Sequence, residues 1–203
     1  MCGIAGLVSP SSVPRDYLRN SAARMANVIS HRGPDGYGVW NDEYTALAHQ
    51  RLSIIDLPNG SQPMSSESGL VITYNGEVYN YIEIRQRLEK KGIVFKSDSD
   101  TEVVLRAYES WGESCVREFN GMFAFAIWSP QKQELFLARD RFGEKPLYYC
   151  FGDEGFAFAS EIKSLLTVDW VKNNLNIDPL AFVDFLSLGY ILSPKTIFKK
   201  IRK

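Results

Sequence analysis

The chain has 203 residues, a net charge of −1, and 45% hydrophobic against 23% charged residues. That length suits one large domain or two small ones, the balance is that of a soluble globular protein, and the near-zero charge argues against a surface for nucleic acid or anionic lipid. The longest apolar run, Met122–Trp128, is only strand-sized and no basic stretch precedes the apolar N-terminus, so neither a membrane span nor a secretory signal is expected and the cytoplasm is the expected compartment.

Taken in order, Cys2–Val8 reads as a strand. Arg15–Ser30 reads as a helix that places Leu18, Ala22, Met25, Ala26 and Ile29 on one face. "HRGPDGYG" (His31–Gly38) reads as a loop, and short strands are expected at Tyr44–Ala48 and Leu70–Tyr74. A helix from about Tyr79 to Lys91 stops at Gly92. The next starts at "SDTE", where Ser99 and Glu102 have capping-box spacing ahead of Val103, Ala107, Tyr108 and Trp111.

Four strand-like runs follow: Met122–Trp128, Glu134–Arg139, Leu147–Phe151 and Phe156–Ala159. Turn signals separate them at hairpin distance, as in a meander. Alternating small and large residues in "MFAFAIW" predict a strand covered on both faces. Asp178 is the expected N-cap of a last helix, with Pro179 at its first position. After that helix, "SPKTIFKKIRK" offers no closing element and reads as the start of a connector. Helices mixed with antiparallel strands make the fold class α+β.

Three cysteines (Cys2, Cys115 and Cys150) without CxxC spacing fit neither a disulfide framework nor a zinc site. The two histidines, His31 and His49, form no metal motif, and phosphate-binding glycine loops are absent. Polar residues nevertheless stand where the pattern predicts core. Arg51 lies between apolar segments, Asn75-Gly76-Glu77 directly follow a strand, Asp98 and Asp100 sit at a helix start, and Arg32 and Asp35 sit on a tight loop. Singly, each has an ordinary explanation. Asn-Gly is the commonest hairpin signal, Asp100 could be a cap, Arg51 a surface strand residue, and Cys2 a buried apolar residue.

Together, "MCGIAG", "HRGPDG", "HQRLSIID", "NGEVYN", "SDTE", "GMFAFA", "ARDRFGEKPLYY" and "ASEIK" change that reading. In this order they resemble the glutaminase domain of class II glutamine amidotransferases, which are N-terminal nucleophile hydrolases. The resemblance is to the asparagine synthetase (glutamine-hydrolysing) type, and it runs from Cys2 to about Lys163. It implies a four-layer αββα sandwich of two antiparallel sheets. Residues 1–170 would form the glutaminase domain, and 171–203 a terminal helix and connector towards a synthetase domain.

The chemistry implied is hydrolysis of glutamine to glutamate and ammonia. Once Met1 is removed, the Cys2 α-amine lies beside its own thiol and serves as the base, which explains the lack of a catalytic histidine. The resemblance assigns the oxyanion to Asn75 and the Gly76 N–H, the substrate carboxylate to Arg51, and its ammonium to Asp100 and Glu77. Main-chain groups of Leu52, Ser53, Ile54 and Ile55 would close the pocket. Gly3 would leave room for substrate, and His31, Arg32 and Asp35 would hold the loop over the site. No metal or cofactor is expected for this half, since ATP and magnesium belong to the synthetase domain, whose pyrophosphate loop SGGxDS is not found here.

Expected partners are glutamine, that synthetase domain and, through apolar residues of the last helix such as Phe182, Phe185 and Leu186, a second copy as a homodimer. Two other readings stand beside this one. The domain could serve another ammonia acceptor, such as a sugar phosphate or purine precursor, or it could bind glutamine without hydrolysing it.

Overall fold

The computed structural model describes residues 1–11, 13–56 and 58–203. Its first half runs β1 (Gly3–Val8), α1 (Arg15–Asn27), β2 (Gly36–Asn41), β3 (Thr45–Arg51), β4 (Met64–Ser65), β5 (Val71–Val78), α2 (Tyr81–Glu89) and α3 (Asp100–Trp111). The second half runs β6 (Gly121–Ser129), β7 (Glu134–Arg139), β8 (Tyr148–Gly152), β9 (Gly155–Ala159), α4 (Ile162–Leu165), α5 (Asp169–Asn173), α6 (Pro179–Leu188) and β10 (Ile201–Arg202).

Side chains along a strand alternate between faces, and here the two faces carry different residues. Ala5 and Leu7 of β1, Ala46 and Ala48 of β3, and Ala157 and Ala159 of β9 pack under α1, α4 and α5. From the same strands, Ile4, Leu47 and Phe158 turn the other way and meet Val71, Ala124, Ala126 and Trp128 of the second sheet. The far face of that sheet carries Ile72, Tyr74, Phe123, Phe125 and Ile127 against α2 and α3. Small residues under helices let them sit close, while large ones fill the space between the sheets. The result is the helix–sheet–sheet–helix sandwich expected from the motifs.

The sheets order their strands β10-β8-β9-β1-β3-β2 and β4-β5-β6-β7, and every pair of strands is antiparallel. The second half is therefore not one meander. β6 and β7 form a hairpin in one sheet, and β8 and β9 form one in the other. The crossing segment between them is built around Asp140, whose carboxylate accepts the N–H groups of Phe142 (3.1 Å), Glu144 (2.9 Å) and Lys145 (2.9 Å).

Other expectations shift in detail. The α1 stripe is as expected, with Leu18, Ala22, Met25, Ala26 and Ile29 fully buried, although the regular helix stops at Asn27. β2 was hidden by its two glycines. Gly38 is required there because a Cβ would come within 2.1 Å of the Gln62 carbonyl oxygen. Ser99 caps α3 through the Thr101 N–H at 3.0 Å. Glu102 does not close the capping box, because its carboxylate reaches past the cap to the N–H groups of Lys96 and Ser97. Asp178 caps α6 as expected, accepting from Leu180 N–H at 3.0 Å. The basic tail does find a closing element. Lys199 N–H donates to the Asn176 carbonyl at 2.9 Å, and Ile201–Arg202 add a sixth strand beside β8.

Candidate active site

Cys2 directly precedes β1, and Arg32 anchors its backbone. The Arg32 guanidinium donates to its carbonyl oxygen at 3.0 Å and to Glu161 at 3.0 Å; His31 and Lys163 join the same carboxylate at 2.9 and 3.2 Å. Cys2 Sγ lies 3.4 Å from the Leu52 N–H, which donates to it. Burial raises the Cys2 thiol above its ordinary value, outweighing the Leu52 N–H, the chain's α-ammonium and Arg51, all of which favour the thiolate. Gly3 does not open onto this space. A Cβ there would run 2.9 Å from Ile29 Cδ1, so its smallness serves the packing of α1 rather than substrate.

Asn75 and Gly76 are not a hairpin turn. They lie inside β5, paired with Ala124 and Phe123 of β6. The Phe123 carbonyl accepts from Asp140 on its other side, so Gly76 and Phe123 form a non-hydrogen-bonded pair, and Gly76 turns its N–H away from β6. Its neighbours in the alternation confirm the direction. Tyr74 N–H donates to Gln62 Oε1 at 2.6 Å and Val78 N–H to Asp100 Oδ2 at 3.2 Å, on the same side. Asn75 is 1% exposed, and among the described residues its Nδ2 has no hydrogen-bond partner. Gly76 admits no side chain, since a Cβ would meet the Met122 carbonyl oxygen at 2.4 Å. Two backbone-fixed donors thus open on one pocket, which Cys2 also lines.

Charge flanks these donors. Arg51 ends β3, and its Nη2 donates to the Asp56 carbonyl at 2.7 Å and the Ile55 carbonyl at 3.4 Å, which fixes the plane of the guanidinium. Gly60 lies against it, where a Cβ would reach within 2.5 Å of Nη2. Asp100, 5% exposed, accepts from Tyr74 Oη at 2.7 Å, and burial raises its carboxyl above the usual range despite these bonds. Glu77 lines the same pocket. A cation and two carboxylates at the rim suit a ligand that carries both charges.

Beneath the pocket lies His49, fully buried between the sheets and held neutral, its value lowered by burial to about 3. Thr73 Oγ1 donates to the Ala48 carbonyl at 3.3 Å and lies 3.2 Å from His49 Nδ1. With its own proton committed, that hydroxyl accepts, so the imidazole carries its proton on Nδ1 and leaves Nε2 as an acceptor without a protein partner.

Of the residues expected at the site, Cys2, Arg51, Leu52, Ile54, Ile55, Asn75, Gly76, Glu77 and Asp100 line one pocket. Ser53 is not part of this lining; Asp35 Oδ2 accepts its N–H at 2.8 Å and ties the loop from outside. Asp98 lies on the surface, paired with Arg85 at 3.0 Å. Sequence reasoning missed Gln62, Tyr74, Met122 and Lys145. Gln62 sat in a stretch read only as turns, yet it bridges Tyr74 N–H to Thr101 Oγ1 at 3.2 Å. Lys145 was signalled by the "RFGEKP" motif but given no role. Among the described residues no cluster of three or more metal-ligating side chains occurs, and no helix is long and apolar enough to cross a membrane.

Known proteins with this pattern are many. "Asparagine synthetase [glutamine-hydrolyzing] 1" of Bacillus subtilis is 40% identical over 205 residues, which is 100% of this chain and 32% of that protein. A "putative asparagine synthetase [glutamine-hydrolyzing] 2" of Methanocaldococcus jannaschii is 36% identical over 223 residues, 100% of this chain and 42% of its own length. The chain therefore spans about a third to two fifths of the length of these curated relatives. Among solved structures, the glutamine phosphoribosylpyrophosphate amidotransferase of B. subtilis superposes with a TM-score of 0.67 at 20% identity, covering 84% of this chain and 44% of that one. That likeness bears on the fold alone, and it agrees with the four-layer sandwich of two antiparallel sheets. The family model described as a glutamine amidotransferase domain matches residues 1–203, and the chain belongs to that family.

Proposed function

We propose that this domain hydrolyses free glutamine to glutamate and ammonia through a thioester on Cys2. The observation that carries the reading is the buried Asn75 Nδ2, a donor without a protein partner beside a thiol and a strand N–H in one pocket. Removal of Met1 exposes the Cys2 α-amine, which takes the thiol proton as Sγ attacks the side-chain carbon. The oxyanion is held by Asn75 Nδ2 and the Gly76 N–H, donors of a kind worth about 3–4 kcal/mol each in the transition state. The amine returns the proton to the leaving nitrogen as the C–N bond breaks. It next takes a proton from the water that opens the thioester, which restores the thiol.

Arg51 receives the α-carboxylate, Asp100 and Glu77 the α-ammonium, and the Leu52–Ile55 loop closes over the ligand. Recognition of both charged ends selects free glutamine over a glutamine residue within a protein. In the parent enzyme the ammonia passes to an ATP- and magnesium-dependent synthetase domain with aspartate as acceptor. Residues 171–203, whose Ile201–Arg202 also close the first sheet, lead towards that domain, and the glutaminase unit needs no cofactor of its own. The exposed Phe182, Phe185 and Leu186 of α6 are the surface through which the chain forms a homodimer. The cytoplasm is its compartment.

The test combines intact mass with glutamate release. Protein that has lost Met1 hydrolyses glutamine without ATP, metal or aspartate, and Cys2→Ala abolishes this while Cys115→Ala leaves it intact. Arg51→Ala raises the glutamine KM about 100-fold or more, whereas Asn75→Ala lowers kcat about 100- to 1,000-fold with little change in KM. Hydrolysis by Cys2→Ala at the wild-type rate overturns the proposal. Glutamine binding without hydrolysis by processed protein favours the non-hydrolysing reading instead.

A further inference from the structure

One buried charge in the pocket has no task in this scheme. Lys145 is 5% exposed and lines the pocket; among the described residues its ammonium has no acidic partner and one hydrogen-bond partner, the Met1 thioether, 3.3 Å from Nζ. Its position is built rather than incidental. Asp140 accepts its N–H at 2.9 Å, and the Arg139 guanidinium donates to its carbonyl at 2.6 Å. Gly143 takes a φ of +67° at the bend between them. The loop starts where Asp140 N–H donates to the Phe123 carbonyl, and Phe123 pairs with Gly76. The loop is thereby fixed on the β7 side of β6, and the Lys145 ammonium ends against the residue covalently joined to Cys2. A lysine is seldom buried without a carboxylate, because its desolvation is uncompensated.

We propose that Lys145 is a positioning residue that acts through Cys2: its fixed positive charge beside the chain start keeps the α-amine neutral before attack and stabilises the sulfur anion that forms during it. This rests on the glutaminase reading and adds a residue to it. Once Met1 is gone, the ammonium loses its thioether contact and faces the new N-terminus. A nearby like charge keeps the amine unprotonated and ready to take the thiol proton, and an opposite charge stabilises the sulfur anion that this transfer creates. The other charged groups are fixed by different elements. Arg51 comes from β3, Asp100 from α3, Glu77 from β5, and Arg32 binds the Cys2 carbonyl. Arg51, Asp100 and Glu77 are assigned to the charged ends of the substrate, which leaves Lys145 as the pocket cation, among the described residues, that meets no substrate group.

The experiment uses the full chain with Met1 removed, verified by mass, as wild type, Lys145→Met and Lys145→Arg. Two quantities are followed against pH: kcat/KM for glutamine, and the rate at which iodoacetamide alkylates Cys2, read at the peptide level. In Lys145→Met the acidic limb of both profiles moves up by about one pH unit, the size expected for loss of one nearby charge in a medium of intermediate dielectric. In Lys145→Arg both limbs stay within a few tenths of a unit of wild type. A Lys145→Met profile that keeps the wild-type limb overturns the proposal, even if the rate falls at every pH. If Lys145→Met does not fold, Lys145→Gln carries the same expectations. Loss of hydrolysis in Cys2→Ala tests the underlying reading separately, because an unshifted limb in an active Lys145 variant removes only the role of Lys145.

Discussion

The space between the two sheets has two ends, built from the same faces of the same strands. At one end Leu47, Val71, Trp128 and Phe158 interlock as ordinary core, and the Trp128 indole N–H donates to Asp42 at 2.7 Å. A few residues along, those faces carry His49, Thr73 and Asn75, and two of these three leave a buried atom without a protein partner. Opposite them in β6 stand Ala126 and Ala124, small enough to leave the polar side chains room. The first end holds the sandwich together. The second spends part of that stability on groups aimed at something not yet bound, and strong packing nearby is what lets it do so.

The comparison breaks most visibly at the packed end. Trp128→Ala should destabilise the fold by about 3–5 kcal/mol in denaturant titration, while protein that remains folded keeps its glutamine KM. Asn75→Ala should leave the denaturation midpoint nearly unchanged, because the amide group has no partner to lose. A large loss of stability in Asn75→Ala would mean that the amide is structural.

A smaller effect concerns pH. His49 stays neutral in the fold down to about 3, whereas the ordinary value of an imidazole, which applies in the unfolded chain, is 6.5. Between these values the unfolded chain binds the extra proton, so stability falls as pH falls, by about 1.4 kcal/mol per unit from this group. His49→Gln should flatten the stability–pH curve across that window. An unchanged slope would show that the imidazole is not held neutral.

The smallest effect is at the rim. Burial raises the Asp100 carboxyl, so the fold binds its proton more tightly than the unfolded chain does, and its contribution to stability declines as pH rises through the raised value. Asp100→Asn, which retains an acceptor for Tyr74 and Val78, should raise the denaturation midpoint modestly at neutral pH. It should also raise the glutamine KM about tenfold or more through loss of the charge that faces the ammonium. A lowered midpoint would assign Asp100 to stability.

Periodicity carried most of the architecture, because the helical stripe of α1 and the alternation in "MFAFAIW" report directly which faces are covered. It missed β2 and β10, whose strand identity depends on a neighbouring strand rather than on their own residues. It also merged two hairpins of different sheets into one meander, since turn signals do not say which sheet the chain returns to. The pocket was legible through motif order. The part of Gln62 was not, because it works from a loop by contacts that only the folded chain creates.

The protonation pattern of His49 has one practical consequence. The chain has two histidines, one exposed at the surface and one sealed beneath the pocket. The sealed ring keeps a single tautomer and does not change charge over the whole range in which glutamine hydrolysis would be studied. Nitrogen-detected NMR of a histidine-labelled sample would therefore show one imidazole whose signals are insensitive to the buffer and respond to movement of the strand that carries Thr73 and Asn75. The fold supplies its own spectroscopic reporter without any added label.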